Sequence, residues 1–149
     1  MIEPEFLKEL LGILGEPTNI IIRTYENSYE DDSMKLSTGF TDRYCKCDNS
    51  KILEIYEKQF KHPYKLKGEK EEIKNIFEID PDFKTSYSIK ELTWTDMDKE
   101  AEIYTSTLYI KFNPIDLSVE IDRNAKKETY EKLIDTIEKY KPPHTIKLI

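Results

Sequence analysis

The sequence is poor in the residues from which catalytic and metal sites are usually built. Its 149 residues include two histidines, two cysteines and four glycines. A serine or cysteine nucleophile needs a neighbouring base, and only His62 and His144 are available, with no flanking signature such as Gly-x-Ser-x-Gly. Neither common type of glycine-rich phosphate loop occurs. We therefore expect a protein that is not an enzyme, with no cofactor and no small-molecule substrate.

The sequence also lacks a long hydrophobic run and an excess of basic residues. Its longest purely apolar stretch covers residues 20–22, whereas a membrane-spanning helix needs about 20 residues. Residues 1–5 are acidic where a secretory signal would be basic. The chain has 23 basic and 30 acidic residues, a net charge of −7. Nucleic acids and anionic membranes attract cationic surfaces, so we expect neither as a partner.

The two cysteines, Cys45 and Cys47, are separated by a single residue. A disulfide at this spacing would be strained and would close too small a loop to add stability, so we expect reduced thiols. With His62 and His144 they could complete a tetrahedral zinc site, although the spacing is not that of a recognised zinc motif. The sequence accordingly predicts no metal site, with zinc as the alternative.

In the first half of the chain, apolar residues recur mainly at helical spacing. The pattern predicts three helices, over residues 3–14, 50–60 and 69–79. Residues 18–25 predict a strand because they contain three consecutive isoleucines, whereas residues 26–37 show no period and predict a solvated loop. Residues 40–47 fit a strand or a loop. Residues 1–84 are therefore expected to form a helix-rich part.

In the second half of the chain, apolar and polar residues tend to alternate. Strands are predicted over residues 86–95, 104–112 and 115–121, the last with strict alternation. Asn124 is a suitable N-cap for the helix that follows. We expect an α+β fold in which the helix-rich part packs beside a C-terminal β-β-β-α-β module, residues 85–149.

The chain leaves the last predicted helix through two prolines. Pro142 cannot continue a helix, and Pro143 forces the residue before it into an extended conformation. The chain then alternates, and its apolar side chains are expected to be buried beside residues 115–121, while the residues just after the prolines form a turn. The candidate interface and structural residues are Pro142, Pro143, His144, Thr145, Ile146 and Leu148.

The run Lys141-Pro142-Pro143-His144-Thr145 follows the strand of residues 108–112 and the helix of residues 130–139. This order resembles the ends of baseplate wedge proteins of contractile phage tails and of tail-like bacteriocins or injection particles. In that family a strand and a helix lead to a Lys-Pro-Ala-His-Thr-like turn and a short apolar strand. Here Pro143 stands in place of the alanine, and the strand of residues 115–121 looks like an addition. The resemblance covers residues 103–149.

The resemblance implies a structural component without catalysis or cofactor. Its partners would be other tail or baseplate proteins in a multi-subunit assembly. It would be made in the cytoplasm of the producing cell and then built into the virion or tail-like particle. The alternative is an acidic inhibitor or immunity-type protein that uses residues 26–32 and 91–102 to mask a basic partner. A small hydrolase is a third class without support from particular residues.

Overall fold

In the computed structural model of this chain, the described residues form six strands and three helices. The structure describes residues 1–30, 35–61, 85–95, 108–123 and 125–149. In chain order the elements are α1 (Pro4–Leu14), β1 (Asn19–Glu30), β2 (Lys35–Tyr44), α2 (Asn49–Lys61), β3 (Thr85–Thr95), β4 (Leu108–Phe112), β5 (Leu117–Ile121), α3 (Lys127–Tyr140) and β6 (His144–Leu148). The predicted α+β class is confirmed.

The strands form one sheet in the order β2-β1-β3-β4-β5-β6, so β2 and β6 lie at opposite edges. Neighbouring strands are antiparallel except β5 and β6, which are parallel and are joined through α3. β1 pairs with β3 from Asn19 opposite Thr93 to Glu26 opposite Thr85. The sheet is therefore continuous across the expected boundary at residue 84. The boundary itself stays a prediction, because residues 62–84 lie outside the described residues.

The three helices share one apolar core with the sheet. α1 packs against both α2 and α3, and α2 packs on β3. Along β4 and β5 every second side chain is buried in this core, which is the alternation that the sequence predicts. The rings of Tyr56 in α2 and Phe112 in β4 meet edge to face, with centroids 5.5 Å apart. The Tyr56 hydroxyl donates a hydrogen bond to the carbonyl of Ile2 and so ties the start of the chain to the core.

A bulge in β3 changes which of its side chains face the core. Ile21 of β1 lies opposite Glu91, but the next residue, Ile22, lies opposite Ile89, so β3 holds one extra residue, Lys90. The extra residue shifts the alternation along β3. Ile89 and Leu92, three positions apart, are consequently both buried.

The segment predicted as a solvated loop, residues 26–37, lies in two paired strands wherever the structure describes it. β1 continues to Glu30, β2 begins at Lys35, and the two strands pair from Ile21 opposite Tyr44 to Glu30 opposite Lys35. Among the described residues, Glu26 opposite Thr85 is the last pair between β1 and β3. The sequence did not indicate these strands because residues 26–37 show no alternation, and the pairing joins different parts of the chain.

The part up to residue 84 is thus not clearly helix-rich. Of its three predicted helices, α1 and α2 are observed, and the one over residues 69–79 lies outside the described residues. α1 begins at Pro4 and is followed by Gly15, whose φ of 76° and ψ of −155° glycine adopts without steric cost.

The turn before β5 is organised by Asn113. Its side-chain Oδ1 accepts hydrogen bonds from the N–H groups of Ile115 and Asp116, both at 2.8 Å. Ile115 belongs to this turn and is 77% exposed. β5 therefore begins at Leu117 and not, as predicted, at residue 115.

Candidate assembly surface

Helix α3 directs the chain into β6. The helix begins at Lys127, with Lys126 at its N-cap; the predicted cap, Asn124, lies outside the described residues. At its end Lys141 adopts a left-handed conformation, φ 49°, and its N–H donates to the carbonyl of Ile137 at 2.7 Å. Pro142 is buried directly after this turn. The chain thus reverses and places β6 beside β5, the position that the sequence predicts.

Strand β6 is attached to the sheet through alternate residues. The N–H of Leu117 donates to the carbonyl of Pro143, and the N–H of Ile149 donates to the carbonyl of Ile121, each at 2.9 Å. These two bonds lie at the ends of the β5–β6 ladder. Successive residues of a strand direct their backbone groups to opposite sides. The odd-numbered residues of 143–149, Thr145 among them, therefore bond to β5.

The remaining residues of β6 direct their backbone N–H and C=O groups away from the sheet. These residues are His144, Ile146 and Leu148. In the described part of the chain, β6 is the last strand on this side, and no further strand pairs with it. Their backbone groups form an open edge, which we call the β6 edge.

The side chains of the β6 edge are exposed, contrary to the expectation that Ile146 and Leu148 are buried. Every residue of β6 is exposed; Ile146 is 38% exposed and Leu148 is 79% exposed. In the parallel register Ile146 lies opposite Val119, which is fully buried, and so points to the same face of the sheet. The apolar core extends over β5 but not over β6. Because β5 and β6 both alternate apolar and polar residues, alternation alone does not show that one strand is buried and the other exposed.

A groove of about 300 Å³ separates β6 from α3. Ile134 and Ile137 of α3 contribute to its helix side, and His144 and Ile146 contribute to its strand side. The charged side chains on its lining are Glu138 and Lys141, which carry opposite charges. His144, predicted as a turn residue, is the first residue of β6, and its ring Nδ1 lies 2.8 Å from the carbonyl oxygen of Pro142.

A second exposed surface lies on the hairpin of β1 and β2, on the face away from the core. Tyr44 is 80% exposed and Phe40 is 60% exposed. The Arg23 guanidinium lies 4.1 Å from the centre of the Phe40 ring and bonds to Asp42, with Nε and Oδ1 2.8 Å apart. Hydrogen bonds from Arg23 and Lys90 hold the pKa of Asp42 well below its usual range. Sequence reasoning missed this surface because the pattern of residues 40–47 fits a strand as well as a loop and does not indicate which side chains share a face.

The two cysteines line a cavity of about 730 Å³ between α2 and strands β1 and β3. Both are free thiols and partly buried. Burial, with a smaller effect from the neighbouring Cys45, raises the pKa of Cys47 to about 11. Cys47 is therefore protonated at neutral pH and is a poor nucleophile or metal ligand in that form.

The zinc ligands considered from the sequence are not brought together by the residues that the structure describes. Cys45 directly follows β2, at one edge of the sheet, and its N–H donates a hydrogen bond to the carbonyl of Ile20 in β1. His144 lies in β6, at the opposite edge. His62 lies outside the described residues. Within the described ranges there is no group of three or more potential metal ligands. The absence of zinc stays a prediction.

An acidic inhibitor, the alternative function, would use residues 26–32 and 91–102. These acidic segments lie partly outside the described residues. Within them, Glu91 is paired with Lys111 across the sheet, at 3.4 Å. Elsewhere Glu9 is paired with Lys139, and Asp42 is paired with Arg23 and Lys90. These carboxylates are thus neutralised locally and do not form a uniformly acidic face.

No helix in the described ranges is long and apolar enough to cross a membrane. Comparison of the chain with protein-family models, with curated proteins and with solved structures found no match.

Proposed function

We propose that this chain is a non-enzymatic assembly protein of a contractile phage tail or tail-like particle and that it belongs to the baseplate. One observation carries the proposal: no described strand pairs with the β6 edge, and this edge lies within residues 141–148, where the resemblance to baseplate wedge proteins resides. Residues 85–149 would supply the assembly module, and residues 1–84 the other helices and the hairpin.

An open edge strand with exposed apolar side chains favours recruitment of a partner. Native proteins usually protect edge strands with charge, proline, a bulge or a covering element, because unpaired backbone groups invite another chain. β6 contains one charged residue, Lys147, and no proline, and Ile146 and Leu148 are exposed. Addition of a partner strand would satisfy these backbone groups and cover both side chains.

Contacts with β5 and with the helices hold the β6 edge in a fixed position. Such a position suits a subunit that transmits force to its neighbours in an assembly. One side of β6 is bonded along β5, and the helix before it is tied to α1. Lys139 and Tyr140, at the end of α3, both bond to Glu9 of α1, at 2.9 and 2.7 Å. Phe6 and Tyr140 add an edge-to-face ring contact, with centroids 5.9 Å apart. The surface is therefore preformed, so little ordering is needed on binding.

The proposal is tested by asking whether the chain is part of a particle. A tagged chain would be produced in its own cell, and tail-like particles would be isolated by density-gradient centrifugation. We expect the chain in the particle fraction at a fixed ratio to sheath protein, with the tag at the baseplate end in electron micrographs. A chain that is never found with particles would exclude the proposal.

A matched pair of variants at one position connects this result to the β6 edge. Ile146→Pro removes a backbone N–H that points away from the sheet, which an edge strand tolerates. Ile146→Val keeps this N–H and a β-branched side chain. We expect Ile146→Pro to lose incorporation and Ile146→Val to keep it, with both variants retaining the circular dichroism spectrum of the unsubstituted protein.

A further inference from the structure

The β6 edge is complementary to a second copy of itself. Its outward backbone groups belong to His144, Ile146 and Leu148, which are spaced evenly about Ile146. Two such strands, antiparallel and centred on Ile146, place His144 of each copy opposite Leu148 of the other. In an antiparallel ladder, residues that face one another in this way exchange both hydrogen bonds. Every outward N–H of one copy would then meet an outward C=O of the other.

The side chains agree with this register. On the face that carries the core, Ile146 of one copy meets Ile146 of the other, which covers apolar surface that is otherwise exposed. On the opposite face Lys147 lies against Thr145 of the second copy, so the two lysines are not directly opposed. The grooves beside β6 each carry Glu138 and Lys141, so the two edges meet without an excess of negative charge, despite the net charge of −7 of each chain.

We propose that the protein forms a two-fold symmetric dimer in which β6 pairs with β6 of a second copy and makes one continuous sheet. A symmetric contact uses the same edge of both copies and therefore closes at two. Pairing of β6 with the opposite edge strand, β2, would instead be head-to-tail and would form a ring of several copies or an open fibre. This inference rests on the proposed assembly role of the β6 edge and names its partner as the chain itself.

The contact is small, which determines the concentration at which it should be measured. A single added strand buries less than the roughly 1,200 Å² of a standard interface, and such interfaces are weak and reversible. We expect the purified chain to pass from monomer to dimer between about 10 and about 500 µM in sedimentation velocity, as weak contacts of this size do. Ile146→Pro should remain a monomer over this range, and Ile146→Val should dimerise like the unsubstituted chain.

Cysteine cross-linking tests the register. In a background with Cys45→Ser and Cys47→Ser, a cysteine at position 146 would lie opposite its own copy, with Cα atoms about 5.5 Å apart. This distance permits a disulfide. A cysteine at position 148 would face His144 of the second copy and lie out of reach of its own equivalent. We expect rapid dimer cross-linking under mild oxidation for Ile146→Cys and not for Leu148→Cys.

The outcomes separate this inference from the proposed function. The self-pairing predicts both dimerisation and a definite register. A chain that is monomeric at about 500 µM would therefore overturn it. Equal cross-linking of the two cysteine variants would overturn it as well. A monomer that nevertheless needs residue 146 for incorporation into particles would assign the β6 edge to a strand of another protein. A dimer of the expected register that never enters particles would retain the self-pairing and exclude the tail function.

Discussion

The hydroxyl of Tyr140 in α3 donates a hydrogen bond of 2.7 Å to the carboxylate of Glu9 in α1. Lys139 reaches the same carboxylate oxygen at 2.9 Å, so one glutamate holds the last turn of α3 against α1. Tyr140 is four residues before His144, the first residue of β6. Glu9 therefore links the helix layer to the position of the β6 edge.

Removal of the Glu9 charge should make the free energy of unfolding depend less on pH in the acidic range. Hydrogen bonds from Lys139 and Tyr140 lower the pKa of Glu9 in the folded protein. In the unfolded chain the pKa of a glutamate is about 4.3. The ion pair thus stabilises the fold above this pH, and its contribution is lost as the pH falls through the lower pKa of the folded state. Glu9→Gln should unfold at lower urea concentration than the unsubstituted protein at pH 7. The difference should begin to shrink as the pH falls below about 4.3 and should disappear below the lowered pKa of Glu9.

The control for this measurement is Glu57→Gln, which removes an exposed carboxylate from α2. It should shift the urea midpoint at pH 7 less than Glu9→Gln does. Equal shifts for the two variants would mean that the contacts of Glu9 with α3 add no stability.

Substitution of Tyr56 by phenylalanine should change the response of the protein to alkaline pH. Burial raises the pKa of Tyr56 above its usual value. A group with a raised folded pKa stabilises the fold below its unfolded pKa, about 10 for tyrosine, and this contribution is lost as the pH rises through the folded value. The unsubstituted protein should therefore lose more stability than Tyr56→Phe between pH 9 and pH 11, measured by denaturant unfolding.

At pH 7, Tyr56→Phe should cost about 1–3 kcal/mol, because the buried Ile2 carbonyl loses its donor. Tyr56→Ala should cost about 3–5 kcal/mol, since it also leaves a cavity beside Phe112. A Tyr56→Phe variant as stable as the unsubstituted protein at pH 7 would show that this hydrogen bond adds no stability.

Deletion of residues 142–149 should have a much larger effect than removal of one side chain from this segment. The deletion removes the buried Pro142, exposes β5 as a new edge and leaves the N–H of Leu117 without its acceptor. His144→Ala loses only the contact between its ring and the carbonyl of Pro142, and it should cost about 1 kcal/mol or less. Thermal unfolding followed by circular dichroism measures both effects.

The deletion is expected to abolish the cooperative thermal transition or the incorporation into particles. A shortened chain that melts cooperatively and still enters particles would contradict the role assigned to this segment. It would also remove the main basis for the proposed tail function.

Metal removal and thiol labelling test the state of the two cysteines. Treatment with a chelator should leave the Tm unchanged, and the purified protein should contain no stoichiometric zinc. In a Cys45→Ser variant, Cys47 should react with iodoacetamide more slowly at pH 8 than it does in urea, because burial, the largest cause of its raised pKa, remains and leaves little thiolate in the fold. One tightly bound equivalent of zinc would contradict this description and would favour a metal site.

Periodic patterns predicted the elements whose burial differs between their faces. α1, α2 and α3 each bury one stripe of apolar side chains, and β5 buries every second residue, so helical or alternating spacing is required of their sequences. The proline pair after α3 likewise indicated where the helix ends and the next strand begins, since proline restricts its own backbone and that of the residue before it.

Two features had no local signal. β1 and β2 pair as far as Glu30 opposite Lys35, but residues 26–37 show no alternation, so this pairing was not visible in the sequence. The bulge at Lys90 shifts the phase of β3 through its pairing with β1, a contact between residues far apart in the chain. Interactions of this kind depend on which strands become neighbours, and this is decided only when the sheet assembles.

The sequence by itself determined that an apolar strand follows Pro142 and Pro143, because the prolines end the helix and the alternation after them favours a strand. It did not determine that Ile146 and Leu148 are exposed. Their alternation is the same as that of β5, but β5 lies under the helices, while β6 is the last described strand on its side of the sheet. Burial depends on what covers a strand, and only the tertiary structure decided where the helices end and the open edge begins.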